Sequence, residues 1–247
     1  MMSGFWKLTW VETKVFMREP MGVVGTLGIP VIIFVILGRS MGSDRMSAGA
    51  LEPAPFNLPI LAALLVAISA VMSLIAIMAI YREGGILKRL RATPLSPVTI
   101  LSAHVFVKLV FTVVGLGLLV LAGRQLFPGA LDVNLFSFTL ALLLSTVSIL
   151  SLGFVIASIV PTARFAQPIG AAVLYPMIAL SGLFFPLEEL PRSLELAVLA
   201  LPTTHAVALM EGIWEGAGWG SHWVSVAALF LIIGACTALS SKIFRWE

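Results

Sequence analysis

Charge is scarce in this chain. Of its 247 residues only 11% are Asp, Glu, Lys or Arg, while 60% are hydrophobic; a soluble domain is about 45–50% apolar. That shortage excludes an ordinary soluble enzyme and a disordered regulator. Fifteen Lys and Arg against 12 Asp and Glu leave a net charge of +3, too thin for a nucleic-acid footprint, so no nucleic-acid partner is expected. A single cysteine, Cys236, excludes an intramolecular disulfide framework and a Cys-rich metal site. The three histidines, His104, His205 and His222, stand too far apart to suggest a metal cluster, and no metal site is expected. Catalytic signatures are missing too. No Gly-x-Ser-x-Gly occurs, and Glu188 and Glu189 are adjacent rather than facing. A phosphate loop needs Gly directly before its Lys, whereas the five lysines follow Trp6, Thr13, Leu87, Val107 and Ser241. No catalytic residue is assigned, and any ATP is expected to be hydrolysed elsewhere.

What is present is apolar length. A hydrocarbon core about 30 Å thick takes about 20 apolar residues of helix, which satisfies its backbone internally. Six stretches qualify: Gly22 to Gly38, Leu58 to Ile80, Val105 to Gly123, Leu135 to Val160, Phe165 to Phe185 and Trp223 to Ser240. The expected fold is all-α, a single polytopic membrane domain over residues 1–247. Residues 1–20 form an interfacial helix, 82–97 a cytoplasmic helix and 187–215 a pair of re-entrant half-helices. The opening residues carry Lys7, Lys14 and Arg18 and lack an apolar h-region, so no cleavable leader is expected. Lys7, Lys14, Arg18, Arg82, Lys88, Arg89, Arg91, Arg164, Lys242 and Arg245 fall on one side; Arg39, Arg45, Arg124 and Arg192 fall on the other. The richer side is cytoplasmic, which puts both termini there. Lys108, early in the third span, is expected to snorkel toward that side, and His104 and His222 to be interfacial.

Trp6, Trp10, Thr13 and Met17 recur at helical spacing, with Lys7, Lys14 and Arg18 on another face. This suits a helix lying at the lipid headgroups, its cations toward anionic lipid, either as a simple anchor or as a docking surface. The link after the second span is more unusual: Glu83, Gly84, Gly85, Ile86, Leu87, Lys88, Arg89, Leu90, Arg91, Ala92, Thr93, Pro94, Leu95, Ser96, Pro97. Ile86, Leu87 and Leu90 share one side of a short helix that the prolines stop. Topology alone explains a basic loop, but not the glycine pair, amphipathic helix and rigid exit together; these suit a lever that receives force from another protein. Between the fifth and sixth spans, apolar runs too short to cross are punctuated by Pro186, Pro191 and Pro202, their acids expected toward water.

The run EGGILKRLRATPLSP and the later SGLFFPLEELPRSLELAVLALPTTHAVALMEGIW resemble the coupling element and the C-terminal signature of the type-2 ABC exporter permeases. Gly85 stands where many members carry Thr or Ser. The resemblance extends over essentially the whole chain and implies a half-transporter in the cell (inner or plasma) membrane. It would pair with a second, identical permease subunit as a homodimer, and with two ATP-binding cassette subunits that bind ATP and Mg. Residues 83–97 would be the coupling helix, and Pro186, Leu187, Leu190, Pro191, Pro202 and Thr203 part of the re-entrant signature.

The resemblance also implies that the second and fifth spans border the translocation path. Ser69, Ser73 and Ala76 make a weakly polar stripe in the second, which helix packing explains equally. In the fifth, Pro168 and Pro176 bend the helix, and Tyr175 and Met177 face either cargo or a neighbouring helix. No acid lies inside a predicted span, which disfavours an intramembrane proton or sodium relay. The expected cargo is amphipathic or hydrophobic, drug-like or lipid-like. The alternatives are the same scaffold exporting a polysaccharide or glycolipid and, more distantly, a secondary transporter or a membrane assembly factor without an ATPase.

Overall fold

A computed structural model of the chain describes residues 2–48, 57–85, 97–126, 133–160, 162–184, 187 and 191–243. Among these residues the regular structure is helical. Helix α1 (Met2–Arg18) leads into α2 (Pro20–Val23), a π-helical turn (Val24–Gly28) and α3 (Ile29–Ala48). There follow α4 (Leu58–Glu83), α5 (Pro97–Leu126), α6 (Leu135–Ile159) and α7 (Ala163–Ala179). The short helices α8 (Arg192–Val198), α9 (Pro202–Trp214) and α10 (Gly218–Ser221) precede α11 (Trp223–Ile243).

Sequence chemistry sets many of these ends. The Asn57 side chain accepts from the Ile60 amide at 3.4 Å, opening α4 with Pro59 in its first turn. Asn134 accepts from the Ser137 amide at 3.1 Å and opens α6. Side-chain acceptors of this kind satisfy amides that have no partner within the helix. Helix α7 stops at Ala179, earlier than its apolar run suggests: Ser181 donates its hydroxyl to the Ile178 carbonyl at 2.7 Å, and Gly182 follows at φ +92°. That left-handed conformation favours glycine at a helix end.

Helices α4, α6, α11 and the Thr99–Leu126 part of α5 are long and apolar enough to cross a membrane. The first and fifth expected spans also fall on helices, but on shorter ones. The apolar part of the first runs over Val24–Ser40, and α7 has 17 residues, about 25 Å at 1.5 Å per residue. The two most buried long helices, α4 and α6, pack together at the centre, and α9 adds a largely buried face to them. Close contact explains one glycine there. A Cβ on Gly153 of α6 would lie 2.6 Å from Val71 Cγ1 of α4. Helix α11 packs on the other side of α6 and leaves Trp223, Val224, Phe230 and Leu231 exposed.

Candidate functional site

Helix α4 is buried on nearly every side except along one stripe. Leu65, Ser69, Met72, Ser73, Ala76, Ile77 and Ile80 recur at helical intervals and are only partly buried or exposed, because they border a groove of about 610 Å³. The opposite wall comes from the segment after α1: Gly22, Gly25 and Thr26 around the π turn, then Ile29, Pro30 and Ile33 of α3. Helix α7 supplies Gln167 and Tyr175, and Phe16 and Glu19 close the end nearest α1. The π turn thus falls where the wall is thinnest in side chains, a placement π-bulges often take at functional sites.

Ser69, Ser73 and Tyr175 therefore share this groove. Met177 does not. It is 4% exposed and packs in the main apolar core. Residues two positions apart on a helix differ by about 200° in direction, so Tyr175 and Met177 face opposite ways, and only the tyrosine reaches the open side.

Helix α1 has three faces. Trp6, Trp10 and Met17 are exposed on one, and Lys7, Lys14 and Arg18 on the next. Lys14 Nζ lies 5.1 Å from the Trp10 ring centroid. The third face, Thr9, Glu12 and Phe16, is buried and packs against α5. Glu12 is the unexpected member. Its Oε1 accepts from the Tyr81 hydroxyl at 2.9 Å, and its Oε2 lies 3.3 Å from His104 Nδ1. Tyr81 and His104 meet edge to face with centroids 5.4 Å apart. Burial raises the Glu12 carboxyl above its ordinary range, opposed by the Tyr81 hydrogen bond and the Lys108 charge.

His104 is 2% exposed, held between Glu12 and Tyr81, and beside it one sequence expectation fails. Lys108 does not snorkel. It is 3% exposed, donates from Nζ to Ser73 Oγ at 2.7 Å and lies 4.6 Å from the Phe16 ring centroid. One helical turn separates residues 104 and 108, so both point inward once α1 packs on α5. Similarly, no acid lies within the expected spans, yet α1 carries Glu12 into the buried space beside them.

At the opposite end of α4 from Asn57, Arg82 Nη1 donates to the Ser158 carbonyl at 3.3 Å and Glu83 Oε2 accepts from the Ala163 amide at 2.8 Å. A cation thus meets the C-terminal end of α6 and an anion the N-terminal end of α7, the arrangement that complements both helix dipoles. Gly84 closes α4 and Gly85 follows at φ +66°. Of the remaining predicted coupling residues, Ile86, Leu87, Lys88, Arg89, Leu90, Arg91, Thr93, Pro94, Leu95 and Ser96 lie outside the described residues, and Pro97 begins α5.

In the later signature, Pro186 and Leu190 lie outside the described residues, Leu187 is partly buried and Pro191 is exposed just before α8. Pro202 and Thr203 open α9 and are buried. Thr203 Oγ1 donates to the Met177 carbonyl at 2.9 Å and Thr204 Oγ1 to the Val198 carbonyl at 2.8 Å. The His205 ring nitrogen Nε2 lies 2.8 Å from the Leu199 carbonyl. Three consecutive side chains thus serve carbonyls near the ends of α7 and α8, groups that a helix leaves without internal partners. Of the acids expected toward water here, Glu215 is exposed but Glu211 is half-buried.

Comparison with known proteins fits this architecture. The chain is 29% identical over 166 residues to the inner membrane transport permease YhhJ of Escherichia coli (strain K12), across 66% of this chain and 44% of that protein. The permease of the same name from Shigella flexneri matches to the same extent. The chain spans less than half the length of these curated relatives. Residues 3–213 match the family described as ABC-2 type transporter, a region that takes in α1, the groove, the Arg82–Glu83 contacts and α9. The chain belongs to that family, whose members are the transmembrane components of ABC transporters.

Proposed function

We propose that this chain is the permease subunit of an ATP-driven exporter and that the groove between α3 and α4 is part of its cargo path. In this reading six helices cross an inner membrane with both termini cytoplasmic, two copies pair, and two separate ATP-binding chains carry ATP and Mg. Residues 86–96 transmit their movement. The observation that carries the path assignment is the groove itself: one stripe of a buried helix left open, with hydroxyls at Ser69, Ser73, Thr26 and Tyr175 set among aliphatic side chains. Such a mixture favours an amphipathic or hydrophobic cargo. Phe16 and Tyr175 are the aromatic residues of its lining, few for stacking sugars, which disfavours a polysaccharide.

The mechanism follows from differential binding. A ligand shifts a two-state protein only by as much as its affinities for the two states differ. Movement of the 86–96 segment has a direct mechanical outlet at Arg82 and Glu83, which are bonded to the α6–α7 connection. Helix α7, which holds Pro168 and Pro176 in its interior, carries Tyr175 into the groove. The test is co-purification of the ATP-binding chain with Arg89→Glu and Leu90→Glu. Loss of the complex with the membrane fold retained supports the lever; retention of full ATPase coupling overturns it.

A further inference from the structure

Midway along the groove, a buried ammonium stands directly behind the wall without a carboxylate in contact. Lys108 lies eleven residues after Pro97 at the start of α5, and its partner Ser73 ten residues before Glu83 at the end of α4. At 1.5 Å per residue both lie about 15 Å along their helices from those ends, at matching heights on the two helices. Among the described residues no Asp or Glu oxygen lies within ion-pair distance of Lys108. The two Glu12 oxygens are engaged by Tyr81 and His104, and Glu19 is exposed at the groove's end. What Lys108 Nζ does touch is Ser73 Oγ and the face of Phe16, and both residues line the groove.

A buried ammonium with no carboxylate in contact is costly, and an ionisable group inside a membrane normally marks a functional pathway. The hydrogen bond also sets what the groove presents. Lysine only donates, so Ser73 Oγ accepts from it, and the serine O–H remains to donate elsewhere. This spot therefore offers a hydrogen-bond donor backed by a positive charge, an arrangement that recognises anionic oxygens.

We propose that the groove takes an amphiphile with an anionic head group, a carboxylate or a phosphate. The head accepts from the Ser73 hydroxyl in front of Lys108, and the chain lies along Ile29, Ile33, Leu65 and Ile68. This rests on the reading of the groove as a cargo path. Lys108 and Ser73 act as specificity-determining residues, and Glu19 supplies the opposing charge that would instead favour a cationic amphiphile.

The full chain lends itself to a direct binding test, because Cys236→Ala removes its one cysteine. With Ile33→Cys carrying an environment-sensitive fluorophore, the chain in phosphatidylcholine nanodiscs is titrated with dodecanoate, dodecyl phosphate and dodecyltrimethylammonium. Both anions are expected to bind about tenfold or more tightly than the cation, as charge-assisted hydrogen bonding implies; their ranking tells carboxylate from phosphate. Lys108→Gln should abolish the preference, Lys108→Arg should retain it, and Ser73→Ala should weaken the anions alone. If Lys108→Gln does not fold, the other two variants decide. Equal binding of all three amphiphiles overturns the anionic head group and leaves the cargo path standing. Preference for the cation overturns it in favour of Glu19, and no response to any of them overturns both.

Discussion

The two flanks of α4 and α6 are built from similar small and hydroxylated residues and use them differently. On the α11 side, hydroxyls are absorbed by neighbouring helices: Ser148 donates to the Leu229 carbonyl at 3.3 Å and Ser158 meets Ser240 at 3.5 Å. On the groove side, Ser69 and Ser73 border open space, and the buried charges Glu12 and Lys108 gather beside it. A small-residue stripe is thus packing where a second helix lies on it and a wall where none does. Composition alone does not separate the two.

The largest break in this comparison is expected at Gly153. Its Cβ position is 2.6 Å from Val71 Cγ1, whereas Gly234 of α11 has nothing within 4 Å. Gly153→Val should destabilise the protein by about 3 kcal/mol, at the upper end of what overpacking a core costs. Gly234→Val should leave it unchanged within about 0.5 kcal/mol, as exposed substitutions do. Unfolding in SDS measures both, and equal effects would show that the α4–α6 contact is not the rigid one.

Next comes the junction of α7 and α9. Thr203→Val keeps the side-chain shape but leaves the Met177 carbonyl without the Thr203 hydroxyl, at a cost of about 2 kcal/mol for an unmade buried hydrogen bond. The same unfolding measurement checks it. Because α7 carries Tyr175, this variant should also alter the accessibility of a cysteine placed at Ser69, while Gly153→Val should not.

Much of this was legible in the sequence, and the failures share one cause. Apolar runs located the four long helices within a few residues, since the bilayer demands length and little else. The position of a charge around a helix depends on what packs there. The tryptophan stripe of α1 drew attention to the exposed faces, while Phe5, Thr9, Glu12 and Phe16, spaced four, three and four apart, marked a face that carries an acid inward. Lys108 would have snorkelled from a lone helix; with Phe16 and Ser73 in place it turns to them. The early end of α7 was visible only as Ser181-Gly182, a short signal inside an apolar run. Tyr175 and Met177 differ in fate because helical direction, not apolarity, decides which one faces the groove.

Within the α1 cluster, Tyr81→Phe and Glu12→Gln sharpen the contrast at smaller scale. Each should cost about 1–2 kcal/mol, and in combination less than the sum, because a hydrogen bond can be removed only once. Additive effects in a double-mutant cycle would show that Glu12 owes its position to His104 rather than to Tyr81.

The smallest expected effect is a dependence on pH, and its sign follows from Glu12. Burial holds this carboxyl above its ordinary range, so docked α1 binds the proton more tightly than α1 released into water. Protonation therefore favours docking. The contribution is complete below the ordinary carboxylate value and is lost as pH rises through the raised one. In hydrogen exchange, after correction for intrinsic rates, α1 amides of the native chain should lose protection relative to Glu12→Gln as pH rises through the raised carboxyl's range, because the amide cannot ionise and the difference removes titrations that the two proteins share. Among the described residues no carboxylate or imidazole takes part in the Ser148–Leu229 and Ser158–Ser240 bonds of the α6–α11 contact, and its amides serve as the internal control. A parallel pH trend there would assign the effect to the whole protein and not to the docking of α1.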